Sequence, residues 1–227
     1  MTPAFLPPGP THTPHGDGDR VEIAVYYDFA SSLCHVAHRV IGRMAPVLDE
    51  LALDLTWIPI DLAALLHWRR GHLVSGQRRD HVRAIADGLD VPLAIPTHWL
   101  DSRALHALAL HQLARDRAER TRTEPTLRER VFTRVFDESR PCEGTDATLE
   151  MASEFGLSCD ADDLEHGLDA LEAWTRHASD QMVSGVPTFM LGPWPFGGIQ
   201  EDATMESIFR RWTNKVRSER VSGRTVN

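Results

Sequence analysis

Residues Val21–Leu51 read VEIAVYYDFASSLCHVAHRVIGRMAPVLDEL, and this stretch decides the fold. Its first seven residues, through Tyr27, are mostly β-branched or aromatic, which is typical of a buried strand. Apolar residues then recur at steps of three and four, which predicts an amphipathic helix that begins at Ser31 or Ser32. Pro46 falls inside this helical pattern and should kink the helix, because proline lacks the backbone N–H donor.

A serine and a cysteine lie where the predicted strand passes into the predicted helix. Ser31 can cap the helix, because its hydroxyl can accept from the free backbone N–H groups of the first turn. The positive end of the helix dipole lowers the pKa of a nearby thiol, so this position favours a Cys34 thiolate. Two alternatives stay open: Ser31 is only an N-cap, and Cys34 is a buried, unreactive thiol.

The rest of the chain predicts a second strand, a run of helices and a final strand pair with a helix. Leu53–Ile60 reads as the second strand, and Pro59 indicates that it ends there or lies near a sheet edge. Six helical segments follow, over about 78–87, 101–120, 126–138, 147–155, from 160 or 161, and 169–182. Residues 185–191 predict a turn and a strand, 192–198 a hairpin, and 201 onward a last helix. This order, β-α-β, helices, β-β-α, is that of an α/β thioredoxin-like fold with an inserted all-helical domain.

These elements divide the chain into five segments. We expect a disordered tail over 1–19 and a flexible tail over 218–227. The two halves of the thioredoxin-like domain are predicted over 20–66 and 173–217, and the helical insertion over 67–172.

Composition and residue spacing exclude several kinds of partner. Arginine and lysine number 24 against 33 acidic residues, so neither nucleic acid nor an anionic membrane surface is an expected partner. No apolar run suits a signal peptide or a membrane span, and three cysteines form no disulfide framework, which predicts a cytoplasmic protein. Neither Cys34 with His35 and His38, nor His106 with His111, matches a zinc motif, so we expect no metal.

Three motifs resemble the DsbA-like thioredoxin-fold family, especially its FrnE-like branch. That branch also includes 2-hydroxychromene-2-carboxylate isomerases and kappa-class glutathione transferases. Residues 27–34 (YDFASSLC) resemble the family's active-site loop, and residues 185–189 (GVPTF) its cis-proline loop. Residues 196–200 (FGGIQ) are similar to the segment that precedes its last helix.

The active-site loop departs from that of the redox members, which carry Cys-x-x-Cys. Here the corresponding residues are Ser31 and Cys34, and a dithiol cycle needs two sulfurs, so we expect no such cycle from this loop. The glutathione-using relatives have serine at the position of Ser31. The resemblance therefore implies that Ser31 holds the thiolate of glutathione or of another low-molecular-weight thiol.

The same resemblance assigns the docking of that thiol to the proline loop and to the start of the last helix. Val186 and Pro187, joined by a cis bond, would present backbone groups to the ligand. Gln200 and Asp202 would hold its γ-glutamyl end.

The sequence thus predicts a DsbA-family oxidoreductase-like enzyme with Ser31 and Cys34 as its catalytic residues. Its partners would be a small thiol and an electrophilic substrate, in transfer, isomerisation or thiol exchange. The alternative is a non-catalytic binding protein that keeps the thiol or peptide groove. For Trp68, Trp99 and Trp174 two alternatives stay open: they line a pocket over Ser31, or they belong to the core. Proteins of the resembled family are often homodimers, so a homodimer also stays open here.

Overall fold

A four-stranded mixed sheet forms the base of the computed structural model, which describes residues 6–7 and 20–223. The strands are β1 (Val21–Tyr27), β2 (Leu53–Pro59), β3 (Thr188–Leu191) and β4 (Trp194–Gly197), in the spatial order β2-β1-β3-β4. β1 pairs parallel with β2 and antiparallel with β3, and β3 pairs antiparallel with β4. The predicted strands are confirmed, and β2 both ends at Pro59 and lies at a sheet edge.

The predicted first helix is divided in two near Pro46. Helix α1 covers Ser32–Arg43 and helix α2 covers Ala45–Glu50, with Met44 between them. Pro46 lies in the first turn of α2, where a missing N–H donor costs nothing because that group has no helical partner. The expected kink is therefore a break just before the proline.

Seven further helices are described after β2. They are α3 (Leu62–Leu65), α4 (Gly76–Gly88), α5 (Arg103–Glu119), α6 (Glu124–Phe132), α7 (Thr145–Glu154), α8 (Ala161–Asp180) and α9 (Asp202–Val221). A π-helical turn, Thr133–Asp137, extends α6. The fold class is confirmed: a thioredoxin-like α/β core with a helical insertion between β2 and β3.

Two sequence expectations about helix ends are wrong. The separate helices expected before and after residue 169 are one continuous helix, α8, so residues 172 and 173 lie within it. Gly167 does not end a helix there; a Cβ at Gly167 would lie 2.5 Å from the Ala107 carbonyl oxygen, so the glycine lets α5 and α8 approach closely. The flexible tail expected from residue 218 is helical as far as Val221, while the tail expected over 1–19 lies, residues 6–7 apart, outside the described residues.

The sheet is covered on both faces. Val25 and Phe189 belong to a buried cluster with Phe209 of α9 and Val40 of α1. Tyr26 on β1 lies in a second cluster, together with residues of α5 and α8. Among the described helices, none combines the length and apolar character needed to cross a bilayer.

Candidate functional site

The loop after β1 and the proline loop before β3 lie at the same end of the sheet. Tyr26 pairs with Thr188, so the chain leaves β1 beside the point where it enters β3. The Val186–Pro187 peptide bond is cis; Pro187 is buried and Val186 is half-buried. The sheet register thus brings the Ser31 loop and Pro187 to one end of the fold.

Ser31 lies at the N-cap position of α1 without capping it. Its side chain makes no capping hydrogen bond to a backbone N–H of the first turn, although its hydroxyl hydrogen-bonds with the Cys34 thiol. Within the described part of the chain, the Ser32 and Leu33 N–H groups are also without a hydrogen bond. Ser31 therefore occupies the N-cap position without the expected capping hydrogen bond, and α1 begins with a hydroxyl and two N–H donors that its own backbone does not use.

Cys34 is a buried, neutral thiol. It is fully enclosed, and burial raises the pKa of the Cys34 thiol to about 12, although hydrogen bonding to the Ser31 hydroxyl and the Asp28 backbone acts in the opposite direction. The expected thiolate at this helix start is therefore wrong, because the loss of hydration outweighs the helix dipole. Cys34, Cys142 and Cys159 are all free cysteines.

A cleft lies over the start of α1. It encloses about 370 Å³, counting its open mouth. Residues 30–33 form one wall, and the helical insertion forms the other with Val74, Arg78, Arg79, Val82, Ile95, Pro96, His98 and Trp99. Backbone hydrogen bonds from Val74 N–H to the Thr97 carbonyl (2.8 Å) and from Trp99 N–H to the His72 carbonyl (2.9 Å) hold this second wall together.

Two arginines and two tryptophans give this wall its chemistry. Trp99 lines the cleft, and Trp68 packs edge-on behind it with ring centroids 5.1 Å apart. The Arg78 guanidinium lies 4.7 Å from the Trp68 ring centroid and 5.7 Å from that of Trp99. Trp174 lies elsewhere, 6.3 Å from the Tyr26 ring. The pocket expected from the tryptophans is thus lined by Trp99 and backed by Trp68.

The same two arginines have no acidic partner among the described residues. Burial alone lowers the pKa of Arg78, with no carboxylate acting on it. The Arg79 Nε atom is buried and has no hydrogen-bond partner in residues 20–223. In a chain with nine more negative than positive charges, two unpaired guanidinium groups at one cleft make that cleft attractive to an anion.

The carboxylate of Asp28 lies beneath the loop and fixes three chain segments. It accepts from the Ala30 N–H (2.7 Å), the Leu62 N–H (2.9 Å) and the Ser102 hydroxyl (2.8 Å). His106 Nε2 lies 3.2 Å from this carboxylate and 3.0 Å from the Phe29 backbone nitrogen. Burial would raise the pKa of Asp28, but His106 and the backbone donors outweigh it and lower the pKa.

This buried Asp28 is a functional residue that the sequence analysis did not single out. It lies within the motif of residues 27–34, but two of the groups that it fixes come from the starts of α3 and α5. A single carboxylate holds the loop, the start of the helical insertion and the start of α5 in one arrangement. Asp28 is itself buried, so its contacts are with the chain segments around the Ser31 loop.

A second buried polar group joins β1 to α6. The Tyr27 hydroxyl donates to Glu124 at 3.3 Å, and Glu124 pairs with Arg128 on the next helical turn. The Arg128 guanidinium lies 4.8 Å from the Trp57 ring centroid. Because each charge has a partner, this network holds the insertion against the sheet without an isolated buried charge.

His35, which matched no zinc motif in the sequence, is fully buried against the π-helical turn. Its Nε2 lies 3.3 Å from an Asp137 carboxylate oxygen, and its ring centroid lies 5.2 Å from that of Phe136. Arg39 pairs with Asp137 and with Glu129. Burial, with a smaller effect of the neighbouring Arg39, lowers the pKa of His35 to about 4.

The two remaining predicted site residues, Gln200 and Asp202, differ in what surrounds them. The Gly198 N–H donates to the Pro187 carbonyl at 2.8 Å, which keeps exposed Gln200 close to the proline loop. Asp202 pairs with Arg43 at 2.9 Å, and this hydrogen bond lowers the pKa of Asp202. Arg43 lies in the last turn of α1, about 18 Å along the helix from Ser31.

The solved structures that resemble this fold come from the same family that the sequence motifs resemble. A 2-hydroxychromene-2-carboxylate isomerase is 19% identical and superposes with a TM-score of 0.58, over 87% of this chain and 98% of its own. A probable DsbA oxidoreductase from Streptomyces coelicolor is 17% identical, with a TM-score of 0.63 over 84% of this chain and 89% of its own. The cytosolic disulfide reductase DsbM from Pseudomonas aeruginosa, solved with GSH, is 18% identical, with a TM-score of 0.55 over 88% and 98%.

Comparison with sequence profiles assigns the family, whereas these distant structures show only the fold. No curated protein matches it. The profile of the DSBA-like thioredoxin domain, however, matches residues 22–208, which is most of the chain. The chain therefore belongs to the DsbA-like thioredoxin-domain family.

Proposed function

We propose that the protein binds a low-molecular-weight thiol such as glutathione at Ser31 and uses the bound thiolate on an electrophilic substrate. The observation that carries this proposal is the uncapped start of α1. The Ser31 hydroxyl and the Ser32 and Leu33 N–H groups are three donors at the positive end of a helix dipole. Such a set stabilises an anion, and a thiolate is the anion that the family's chemistry uses.

In this proposal the reacting sulfur belongs to the ligand. The bound thiol loses its proton to solvent, and its sulfur attacks the electrophile. In a transfer the S–C bond remains and the leaving group departs with its electron pair. In an isomerisation the sulfur adds to the substrate and is expelled again as thiolate after the substrate has rearranged, so the thiol is regenerated. Cys34 is a poor nucleophile, because its thiol is buried and its pKa is raised to about 12. Its role is then to contact and orient the Ser31 hydroxyl, and not to form a mixed disulfide.

Docking of the ligand is assigned to the proline loop. Val186 would pair its backbone with an extended, peptide-like thiol, with buried Pro187 fixing the loop. Gln200, two residues after the Gly198 that donates to the Pro187 carbonyl, would contact the polar end of the thiol. Asp202 would contribute only if its ion pair with Arg43 were replaced by an ion pair with the ammonium group of the ligand. The free cysteines, and the relative described as cytosolic, support action in the cytoplasm.

The second substrate is assigned to the cleft. Arg78 and Arg79 favour a carboxylate or another anionic group, and Trp99 favours an apolar or aromatic body. Arg79→Gln should weaken the binding of benzoate about 10-fold and leave benzyl alcohol unaffected. Arg83→Gln, which alters an exposed arginine paired with Asp80, is the matched control. Equal loss for both probes would contradict an anion site.

Calorimetry with glutathione, cysteine and coenzyme A tests the thiol site directly. We expect at least one of them to bind, and Ser31→Ala to weaken that binding by about 10- to 100-fold, because a hydrogen bond to a charged group is lost. The S-methylated form of that thiol should bind equally to wild type and variant, because it has no thiolate. Binding that Ser31→Ala leaves unchanged, or no binding by any of the three thiols, would contradict the proposal.

A non-catalytic binding protein is the alternative, and activity separates the two. Reaction of the bound thiol with an activated chloroarene should be faster than without protein, and Ser31→Ala should remove the acceleration. Binding without acceleration would favour the alternative. Reduction of insulin in the presence of dithiothreitol should show no acceleration, since the Ser31 loop holds a single sulfur.

A further inference from the structure

Three side chains of the helical insertion bring a nitrogen, a sulfur and an oxygen to one point. His111 is on α5, Cys159 lies just before α8, and Asp163 is in the first turn of α8. One donor atom from each lies within 4.8 Å of the other two. None of the three lines the Ser31 cleft. The cluster is therefore a separate feature, and it does not depend on the proposed thiol chemistry.

The spacing of these atoms is close to that of a tetrahedral metal site. Zinc bonds of about 2.0–2.3 Å place neighbouring ligand atoms roughly 3.3–3.7 Å apart. His111 Nδ1 lies 3.5 Å from an Asp163 carboxylate oxygen, which already matches one edge of such a tetrahedron. Cys159 must approach by about 1 Å. Its sulfur has only a 3.7 Å contact with the Asp160 carbonyl, so the side chain can turn toward the other two ligands.

His111 is an incompletely satisfied buried side chain. Its side chain is 8% exposed, and its Nε2 atom is buried without a hydrogen-bond partner among the described residues. The 3.5 Å contact of Nδ1 with Asp163 is longer than an ordinary hydrogen bond. Nδ1 is the nitrogen that faces Asp163, and at 3.5 Å it makes no ordinary hydrogen bond there, so it is the ring nitrogen placed to bind an ion between α5 and α8. Nε2 lies on the opposite side of the ring and takes no part in the site.

The surrounding charges favour a cation on balance. Asp160 and Asp162 lie beside Cys159 and Asp163 at the start of α8. The opposing charge is Arg115 on α5, which donates to the Ser158 carbonyl at 3.2 Å. Arg115 is also paired with Glu119 at 3.1 Å, which offsets its repulsion of a metal ion.

We propose that His111, Cys159 and Asp163 bind a Zn²⁺ ion, with water as the fourth ligand. A thiolate and an imidazole select zinc over magnesium or calcium, which prefer oxygen ligands only. The ion joins α5 to the start of α8, the two long helices that pack through Gly167 and Ala107. Binding deprotonates the thiol, so the apparent affinity increases with pH.

Cobalt and zinc titrations of the chelator-treated full-length protein test this site. We expect one Co²⁺ per chain with a thiolate-to-cobalt charge-transfer band, displacement of Co²⁺ by Zn²⁺, and an increase in Tm of about 3–5 °C with Zn²⁺. Cys159→Ser should abolish the band and weaken Zn²⁺ binding at least about 100-fold, and His111→Gln should weaken it similarly.

Cys142→Ser is the matched control, because Cys142 is a free cysteine of the same insertion outside the cluster. It should retain the band and the affinity. Circular dichroism and Tm without metal establish that each variant is folded before titration; should Cys159→Ser not fold, Asp163→Asn replaces it, with the same loss of Zn²⁺ affinity expected. No Zn²⁺ binding by wild type, or a cobalt thiolate band that persists in Cys159→Ser, would overturn the proposal.

Discussion

Two serines begin helices on opposite walls of the same cleft, and only one of them caps its helix. The Ser75 hydroxyl accepts from the Arg78 N–H at 3.2 Å at the start of α4. The Ser31 hydroxyl makes no such bond at the start of α1. Because a serine cap contributes about 1 kcal/mol, α1 lacks stabilisation that the same residue type gives to α4. Ser75 thus stabilises its helix by a cap, whereas Ser31 does not, and this difference supports the proposed thiol site at Ser31.

Helices α1 and α4 also differ in how much of each is buried. Only Val82 and Ala86 of α4 are buried, so this helix depends on local stabilisation. Half of α1 is buried, including Cys34, His35 and Val40, so tertiary contacts hold it in place. A helix that is fixed by its packing can leave its first turn unsatisfied, which is what an anion site at a helix start requires.

The largest expected effect on stability comes from removing the Asp28 carboxylate, which lies beneath the Ser31 loop. Asp28→Ala leaves the Ala30 N–H, the Leu62 N–H and the Ser102 hydroxyl buried without their acceptor. We expect the free energy of unfolding to fall by about 3–5 kcal/mol, measured by urea denaturation. Asp87→Ala, at an exposed position of α4, should change it by less than about 0.5 kcal/mol. A loss below about 1 kcal/mol for Asp28→Ala would contradict the positioning role.

The next effect tests whether tertiary contacts hold α1. His35 is neutral and buried with its pKa lowered to about 4, whereas in the unfolded chain it titrates near 6.5. Between these values the unfolded state binds more protons, so stability should fall as the pH is lowered from about 6.5 to about 4, by roughly 2–3 kcal/mol. His35→Phe, which keeps an aromatic ring against Phe136, should flatten this dependence. An unchanged pH slope in the variant would exclude His35 as its cause.

The smallest expected effect on the free energy of unfolding comes from replacing each of the two serines by alanine. Ser75→Ala should lower the free energy of unfolding by about 1 kcal/mol, because α4 loses its cap. Ser31→Ala should change it by less than about 0.5 kcal/mol, because no cap bond is lost. Thermal and urea unfolding of both variants measure the difference. Equal losses in the two variants would remove the basis of the comparison.

The sequence predicted the parts of this molecule that depend on local pattern. The strands, the start of α1 at Ser32 and most of the helices follow from periodicity, and the motifs around Ser31 and Pro187 indicated the family. Contacts between distant residues were not predictable. Asp28 acts on groups from α3 and α5, and the hydroxyl of Ser31 cannot be told from a cap without coordinates. The close contact between α5 and α8 at Gly167 likewise joins residues far apart in the sequence.

The measurement that tests the central claim most directly is the pKa of the thiol of bound glutathione, followed by ultraviolet thiolate absorbance during a pH titration. In the wild-type complex we expect this pKa to lie about 2 units below that of free glutathione, because the donors at the start of α1 stabilise the thiolate. Ser31→Ala should raise it by about 1 unit or more, and Ser75→Ala should leave it unchanged. A bound thiol that titrates like free glutathione, or a lowered pKa that Ser31→Ala does not alter, would contradict the account.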